Sequence, residues 1–389
     1  MVLLSRIPFP LDKGDKLRAF HQIKNLSKKH EIFLCALNES KIHPEAYNSL
    51  KQYCTHIEFV NLSWFRIYLN IFLCFFQEKP FQIAYFYSRK VQEKIDRFIQ
   101  DFQPDHIYCQ LIRMAEYARN SKVPKTLDYM DALSKGIKRR IETSPLYLRW
   151  ILKMEGKRVM RYEHHIFKYF DSKTIISKQD QNLIIHPINQ IINIVSNGID
   201  SDFFMPKKSK IEYDILFAGN MQYPPNVEGA TYIVKNILPI VRKKYPNIRL
   251  LIAGADPARS IQSLESEHVH VTGWVEDIRD SYASSLIFLA PMQIGTGLQN
   301  KLLEAMSMKL PCITSSLVNN ALGAEENHSI LIGDVPEDYA KHIIDLLEDE
   351  EKREFLTKNA YSYVRENFNW QNTTDILEQL ICKESTSES

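Results

Sequence analysis

Short apolar runs alternate with longer amphipathic stretches from one end of the chain to the other, and this alternation predicts repeated βα units and parallel sheets. In the first half the strand candidates are residues 2–5, 32–37, 57–60, 106–109, 125–127, 173–176 and 191–195. In the second half they are 214–218, 249–253, 269–272, 286–290, 311–314 and 330–332. The helical segments between them include 16–29, 92–102, 147–170, 227–244, 299–308 and 337–348. At 389 residues the chain exceeds what one hydrophobic core serves, so two doubly wound halves are expected, joined near 197–200. Residues 1–5 read as a strand rather than a signal peptide, because Arg6, Pro8 and Pro10 follow at once.

Charge and cysteine usage remove several classes. A net charge of only +2 lacks the strongly basic footprint of a nucleic-acid binder. The six cysteines are scattered, without a C-x-x-C pair, and four lie in apolar runs, as buried free thiols do. A reducing compartment is the simplest expectation. The longest apolar run, 64–76, holds Arg66 and Asn70 and is too short for the ~20 residues a bilayer span needs.

Glycine placement says where chemistry belongs. There are 12 in 389 residues, about 3% against a typical ~7%. Gly219, Gly254, Gly273 and Gly295 each follow a strand of the second half, Gly297 joins the last, and Gly14 follows the first strand of the chain. Ligands of open α/β sheets bind outside the carboxyl ends of the strands, where backbone must come close. The competing explanation is that βα turns simply favour glycine.

The most informative segment is Pro291-Met-Gln-Ile-Gly-Thr-Gly-Leu-Gln-Asn-Lys-Leu-Leu-Glu-Ala-Met306. A strand runs into a glycine loop, and a helix opens at Leu298–Asn300. Free N–H groups and the positive helix end make such a junction an anion site. Lys301 and Glu304 stand three apart on one helix face, off the apolar stripe of Leu303, Met306 and Leu310. Lys301 could neutralise a diphosphate and Glu304 could accept from ribose hydroxyls. Equally, Glu304 could only complement the helix dipole and pair with Lys301.

These blocks resemble a known family. Val195-Ser-Asn-Gly-Ile-Asp200, Leu216-Phe-Ala-Gly-Asn220, Val271-Thr-Gly-Trp-Val-Glu-Asp277 and the run from Gly295 to Met306 occur in the order seen in glycosyltransferase family 4. The stretch Ser5-Arg-Ile-Pro-Phe-Pro-Leu-Asp-Lys-Gly-Asp-Lys16 is similar to sugar transferases found with bacterial exopolysaccharide gene clusters. The resemblance implies an α/β chain of GT-B architecture, with two Rossmann-like doubly wound domains facing across a cleft. An acceptor-side domain would span 1–198 and a nucleotide-sugar domain 199–368, with 369–389 a helix returning to the first domain and a polar tail. It also implies a hexosyltransferase-type enzyme, with retaining transfer from a nucleotide-diphosphate sugar to a hydroxyl of a polysaccharide or glycolipid intermediate. No metal or other cofactor is expected. The alternatives are an epimerase or hydrolase of the same fold, and a binding protein without catalysis.

Carried over by position, Glu304 would bind the donor ribose, and Gly295, Thr296, Gly297, Leu298 and Gln299 the diphosphate, with Lys301 supplying charge. Gly273, Trp274 and Val275 would meet the base, Asn220, in the loop after the first strand of its domain, would also bind the donor, and Gly14 would let the first loop of the chain close over the phosphates. Two departures stand out. Thr296 occupies the first position of the family's Glu-x7-Glu motif, and Gly219-Asn-Met-Gln-Tyr-Pro-Pro225 lacks the usual Arg and Lys.

In the first half, Thr126-Leu-Asp-Tyr-Met-Asp-Ala-Leu-Ser134 offers Asp128 and Asp131 as carboxylates that could support positive charge at the anomeric carbon, or serve as a helix cap or turn. From 135 to 168 there are ten Lys/Arg against three Glu, interleaved with Leu146, Tyr147, Leu148, Trp150 and Ile151. This segment could rest on an anionic bilayer carrying a lipid-linked acceptor, form a solvated helix face, or attract the nucleotide. A cytoplasmic protein, peripheral at the inner face of the plasma membrane if the first reading holds, is the expectation.

Overall fold

The computed structural model describes residues 1–200, 202–293 and 298–385. They divide into two compact units, Met1–Ser196 with the C-terminal segment from Trp370, and Asn197–Asn369. Each is built on one sheet, and every strand pairing is parallel.

The first unit holds β1 (Val2–Leu4), β2 (Phe33–Asn38), β3 (His56–Asn61), β4 (Ile107–Gln110), β5 (Lys125–Asp128), β6 (Ser172–Ile175) and β7 (Asn193–Ile194), in the order β3-β2-β1-β4-β5-β6-β7. The second holds β8 (Tyr213–Ala218), β9 (Leu250–Ala253), β10 (Val269–Val271), β11 (Ser285–Ala290), β12 (Cys312–Thr314) and β13 (Leu331–Ile332), in the order β10-β9-β8-β11-β12-β13. Both orders reverse direction beside the first strand, at β1/β4 and at β8/β11. Such a switch point is where a doubly wound sheet opens a crevice for a ligand.

The central strands were readable because they are covered on both faces and so appear as continuous apolar runs, whereas the edge strand β3 is only half-buried. Leu216 pairs with Leu251 on one side and Phe288 on the other, and all three are buried. The helices that matter below are α1 (Gly14–Leu26), α2 (Trp64–Cys74), α3 (Leu133–Thr143), α4 (Leu146–Ile166), α5 (Pro224–Tyr232), α6 (Asn300–Ser307) and α7 (Trp370–Ser385). Two expected helices differ from their sequence pattern, one by ending early and one by being shifted and interrupted. Residues 147–170 end as a helix at Ile166 and tighten into a short turn at Phe167–Tyr169. The stretch 227–244 opens at Pro224, whose missing N–H suits a first helical turn, and widens to a π turn at Ile233–Ile237 before Pro239.

The segment 64–76, set aside in the sequence as a run too short to span a bilayer, contains a helix, α2. No helix among the described residues is long and apolar enough to cross a membrane. α7 packs on the first unit: its Leu377 is buried with Leu4, Ile23 and Val195, and its Trp370 ring stacks on His21 at 4.9 Å.

Candidate functional site

At the β8/β11 switch point the second unit brings three chain segments together. β8 ends at Ala218, and Gly219 and Gly254 follow β8 and β9 with φ of 151° and 147°. A Cβ on Gly254 would fall 1.7 Å from the Gly219 carbonyl oxygen, so the two strand ends touch and no side chain fits between them. Above them lies the turn leading into α5. Asn226 on that helix is buried, and its amide donates to the Asn220 carbonyl at 2.9 Å. The Asn220 side chain caps its own turn by accepting from Gln222 N at 2.9 Å.

Lys301, on the first turn of α6, reaches across to this turn. Its Nζ donates to Asn226 Oδ1, lies 3.8 Å from Met292 Sδ, and sits 4.8 Å from the centre of the Phe217 ring. No salt bridge joins it to an acid among the described residues. Burial therefore pushes its ammonium down to about 7, against a smaller opposing pull from Glu304. Glu304, one turn on, accepts from the Tyr282 hydroxyl at 2.8 Å through Oε2. No donor among the described residues reaches its other oxygen. Burial raises its carboxyl, and the Tyr282 bond works against that shift. Tyr282 is itself fully buried on helix Ile278–Ala283. Lys301 and Glu304 are thus half-buried and locally anchored, rather than standing out on a solvent face.

The neighbouring candidates fall as follows. Leu298 packs partly on the core, and Gln299 is the N-cap residue of α6. Gly273 takes φ of 70°, and its carbonyl accepts from Gly254 N at 3.2 Å, which ties the end of β10 to that of β9. Trp274 beside it is 72% exposed, and Val275 is half-buried. Gly295, Thr296 and Gly297 lie outside the described residues.

In the first unit, Gly14 opens α1, and a Cβ there would meet nothing within 4 Å. Asp128 and Asp131 have different surroundings. Asp128 is fully buried: Oδ2 lies 2.7 Å from Arg18 Nε and 2.7 Å from the Tyr108 hydroxyl. Its Oδ1 accepts from Thr174 Oγ1 at 3.0 Å and from Met130 N at 3.2 Å. The carboxylate is engaged on both oxygens and ties α1, β4, β5 and β6 together. Asp131 follows the strained turn at Met130 (φ 61°) and is exposed.

Sequence reasoning did not single out Asn226, Tyr282 or Arg18. Nothing local marks them, since their partners lie 75, 22 and 110 residues away. Among the described residues, the one His/Cys/acid grouping close enough to share an ion is His30, Glu378 and Cys382, and there Lys29 already neutralises Glu378 at 2.7 Å.

Two parallel, doubly wound Rossmann-like domains, the second with a cation and a carboxylate at its switch point, define a GT-B type of protein. Comparison bears this out for the fold. A glycosyltransferase from Rickettsia africae ESF-5 superposes with a TM-score of 0.69 at 13% identity, covering 100% of this chain and 99% of that one. The Anabaena HepE protein, in a crystal structure with UDP, gives a TM-score of 0.69 at 14% identity, covering 98% and 99%. Residues 212–349 match the family described as "Glycosyl transferases group 1". An uncharacterized 44.6 kDa protein in the cps region of Klebsiella pneumoniae is 24% identical, covering 95% of this chain and 96% of that protein. Together these matches support a glycosyltransferase.

Proposed function

We propose that this chain is a retaining, family 4 glycosyltransferase that moves a hexosyl group from a nucleoside-diphosphate sugar to a hydroxyl of a saccharide or lipid-linked saccharide intermediate. The donor is assigned to the unit 197–369 and the acceptor to the unit that holds β1–β7. One observation carries the reading: Lys301 and Glu304 project from one face of α6 at a sheet switch point, the first in no salt bridge and the second with one oxygen uncommitted among the described residues.

In this reading the start of α6 and Lys301 hold the diphosphate, which needs compensating charge as it leaves. The uncommitted Glu304 oxygen accepts from the ribose hydroxyls. No metal is required, because helix end and ammonium supply the positive charge. Catalysis then rests on positioning and electrostatic support rather than on a covalent intermediate with the protein. Asp131, exposed just past the end of β5, is assigned to support charge at the anomeric carbon, whereas Asp128 serves the architecture of its unit. The cps-region relative is in keeping with a polysaccharide or glycolipid acceptor. A cytoplasmic protein, with peripheral contact to an anionic membrane through 135–168, completes the proposal.

The test is a thermal-shift panel of UDP-, GDP- and ADP-sugars, with UDP-glucose first because the Anabaena neighbour was also crystallised with it. A donor at 100 times its dissociation constant should stabilise the fold by about 2.7 kcal/mol. A panel in which no sugar nucleotide raises the melting temperature would overturn the assignment.

A further inference from the structure

α2 leaves uncovered an apolar face that a water-facing helix would bury. It buries only Ile67 and Cys74. Trp64, Phe65, Tyr68, Phe72 and, just past the helix end, Phe75 and Phe76 are between 47% and 78% exposed. Leu69 and Leu73 lie between them and are exposed as well. A helix that is apolar all round belongs inside a core or against an apolar medium, and a contiguous exposed patch of this kind marks an interaction site.

The inner side of α2 is already engaged. Asn70 donates to the carbonyls of Ala84 at 3.0 Å and Tyr87 at 2.8 Å, and the Cys74 carbonyl accepts from Arg158 of α4 at 2.8 Å. The outer face is therefore not left over from an unfinished core.

Charge identifies what covers it. α2 contains no acidic residue. On the adjoining α4 the acids turn inward: Glu155 accepts from the backbone N–H groups of Phe81 and Gln82 at 2.9 and 3.1 Å, and buried Glu163 accepts from Ser134 N at 3.0 Å. Lys153 and Lys157 face outward, Arg161 is exposed but pairs with the exposed Glu78 at 3.6 Å, and Leu146, Tyr147 and Trp150 are exposed at the start of the helix. Aromatic side chains beside a cationic rim suit the boundary between anionic headgroups and acyl chains. A second copy docked by the same surface would set this cationic rim against itself, which disfavours a symmetric dimer.

We propose that α2, with Phe75 and Phe76, inserts its aromatic face into the interface of an anionic bilayer, while the cations of α4 engage the headgroups. The proposal rests on the reading of 135–168 as lipid-facing and moves the inserting element to a different helix. Trp64 also lines a cavity of about 620 Å³ of mixed charge, with Arg6, Lys13, Lys16, Asp12 and Glu39, beside the ends of β1 and β2. Insertion would bring that cavity to the lipid surface, where a lipid-linked saccharide resides.

Vesicle flotation with the full chain tests this without any need for turnover. The vesicles are phosphatidylcholine, with or without phosphatidylglycerol, and the variants are Phe65→Ser/Phe72→Ser/Phe76→Ser on α2 and Lys153→Glu/Lys157→Glu on α4. The parent should float with anionic vesicles. The triple Phe variant should lose roughly 100-fold or more in partitioning at an unchanged melting temperature, since each exposed ring is worth about tenfold. The charge reversal should lose about tenfold or more. If the triple variant does not fold, the single Phe65→Ser and Phe76→Ser changes, at the most exposed aromatic positions of the face, carry the same test. A parent that ignores anionic vesicles overturns both the insertion and the lipid-facing reading of 135–168. Loss on charge reversal alone, with the Phe variants binding as the parent does, overturns insertion and leaves the electrostatic reading standing. A parent dimer that the Phe variants convert to monomer, with no vesicle binding, gives the face to a second copy.

Discussion

Replacing Glu304 by alanine should damage two properties by separable amounts. Oε2 of Glu304 is the acceptor, at 2.8 Å, of the fully buried Tyr282 hydroxyl, whose other acceptor is the Lys301 carbonyl at 3.4 Å. Deleting the carboxylate leaves that hydroxyl poorly satisfied, which costs about 1–3 kcal/mol. Part returns, because burial already disfavours the charged carboxylate. A net loss of about 1–2 kcal/mol lowers the melting temperature of a domain this size by a few degrees. Donor affinity should fall independently, by about 1.5–3 kcal/mol for a charged hydrogen bond to ribose, or roughly 10- to 150-fold in Kd. Tyr282→Phe is the control: it removes the hydroxyl, keeps the carboxylate, and should retain donor affinity close to the parent's. The assay is paired, with calorimetric titration of the sugar nucleotide and a melting curve for each variant. If Glu304→Ala binds donor as tightly as Tyr282→Phe does, Glu304 is an architectural residue and the ribose assignment fails.

Other expectations follow from the same geometry. Asp128→Asn breaks a pair in which both side chains are fully buried, and should cost about 3–5 kcal/mol of stability; an unchanged melting temperature would refute the buried network. Lys301 is held down to about 7 in the free chain and faces Glu304, while a bound diphosphate favours its charged form. Binding then takes up a proton above that pH, so affinity for a sugar nucleotide is full below about pH 7 and falls by up to about tenfold per unit above it, whereas Lys301→Arg flattens the profile. Turnover should survive EDTA, and loss of activity restored by manganese or magnesium would show that charge at α6 does not suffice.

Legibility in the sequence followed burial. β8 and β11 were plain because both faces are covered, which leaves an uninterrupted apolar run. α2 was not read as a helix, since its apolar residues point both inward and outward and so carry no period. At α6, the loop-to-helix junction and the three-residue spacing of Lys301 and Glu304 could be read directly. What those side chains touch could not, because Asn226 and Tyr282 arrive from other helices. Asp128 and Asp131 show the same limit. A carboxylate at a strand end reads alike whether it meets solvent or an arginine from α1, and only the folded chain separates the two.

The placement of α7 has a consequence for how the chain is made. Its Leu377 completes the core beneath β1, its Trp370 covers His21, and Glu378 pairs with Lys29, yet all of this lies beyond the last residue of the second unit. During synthesis the first unit therefore leaves the ribosome with one side of α1 bare. It must wait in that state while residues 197–369, a continuous stretch that can close on itself, are translated. The half begun first is finished last. A premature stop a few residues before Trp370 would spare the later-made unit and injure the earlier one.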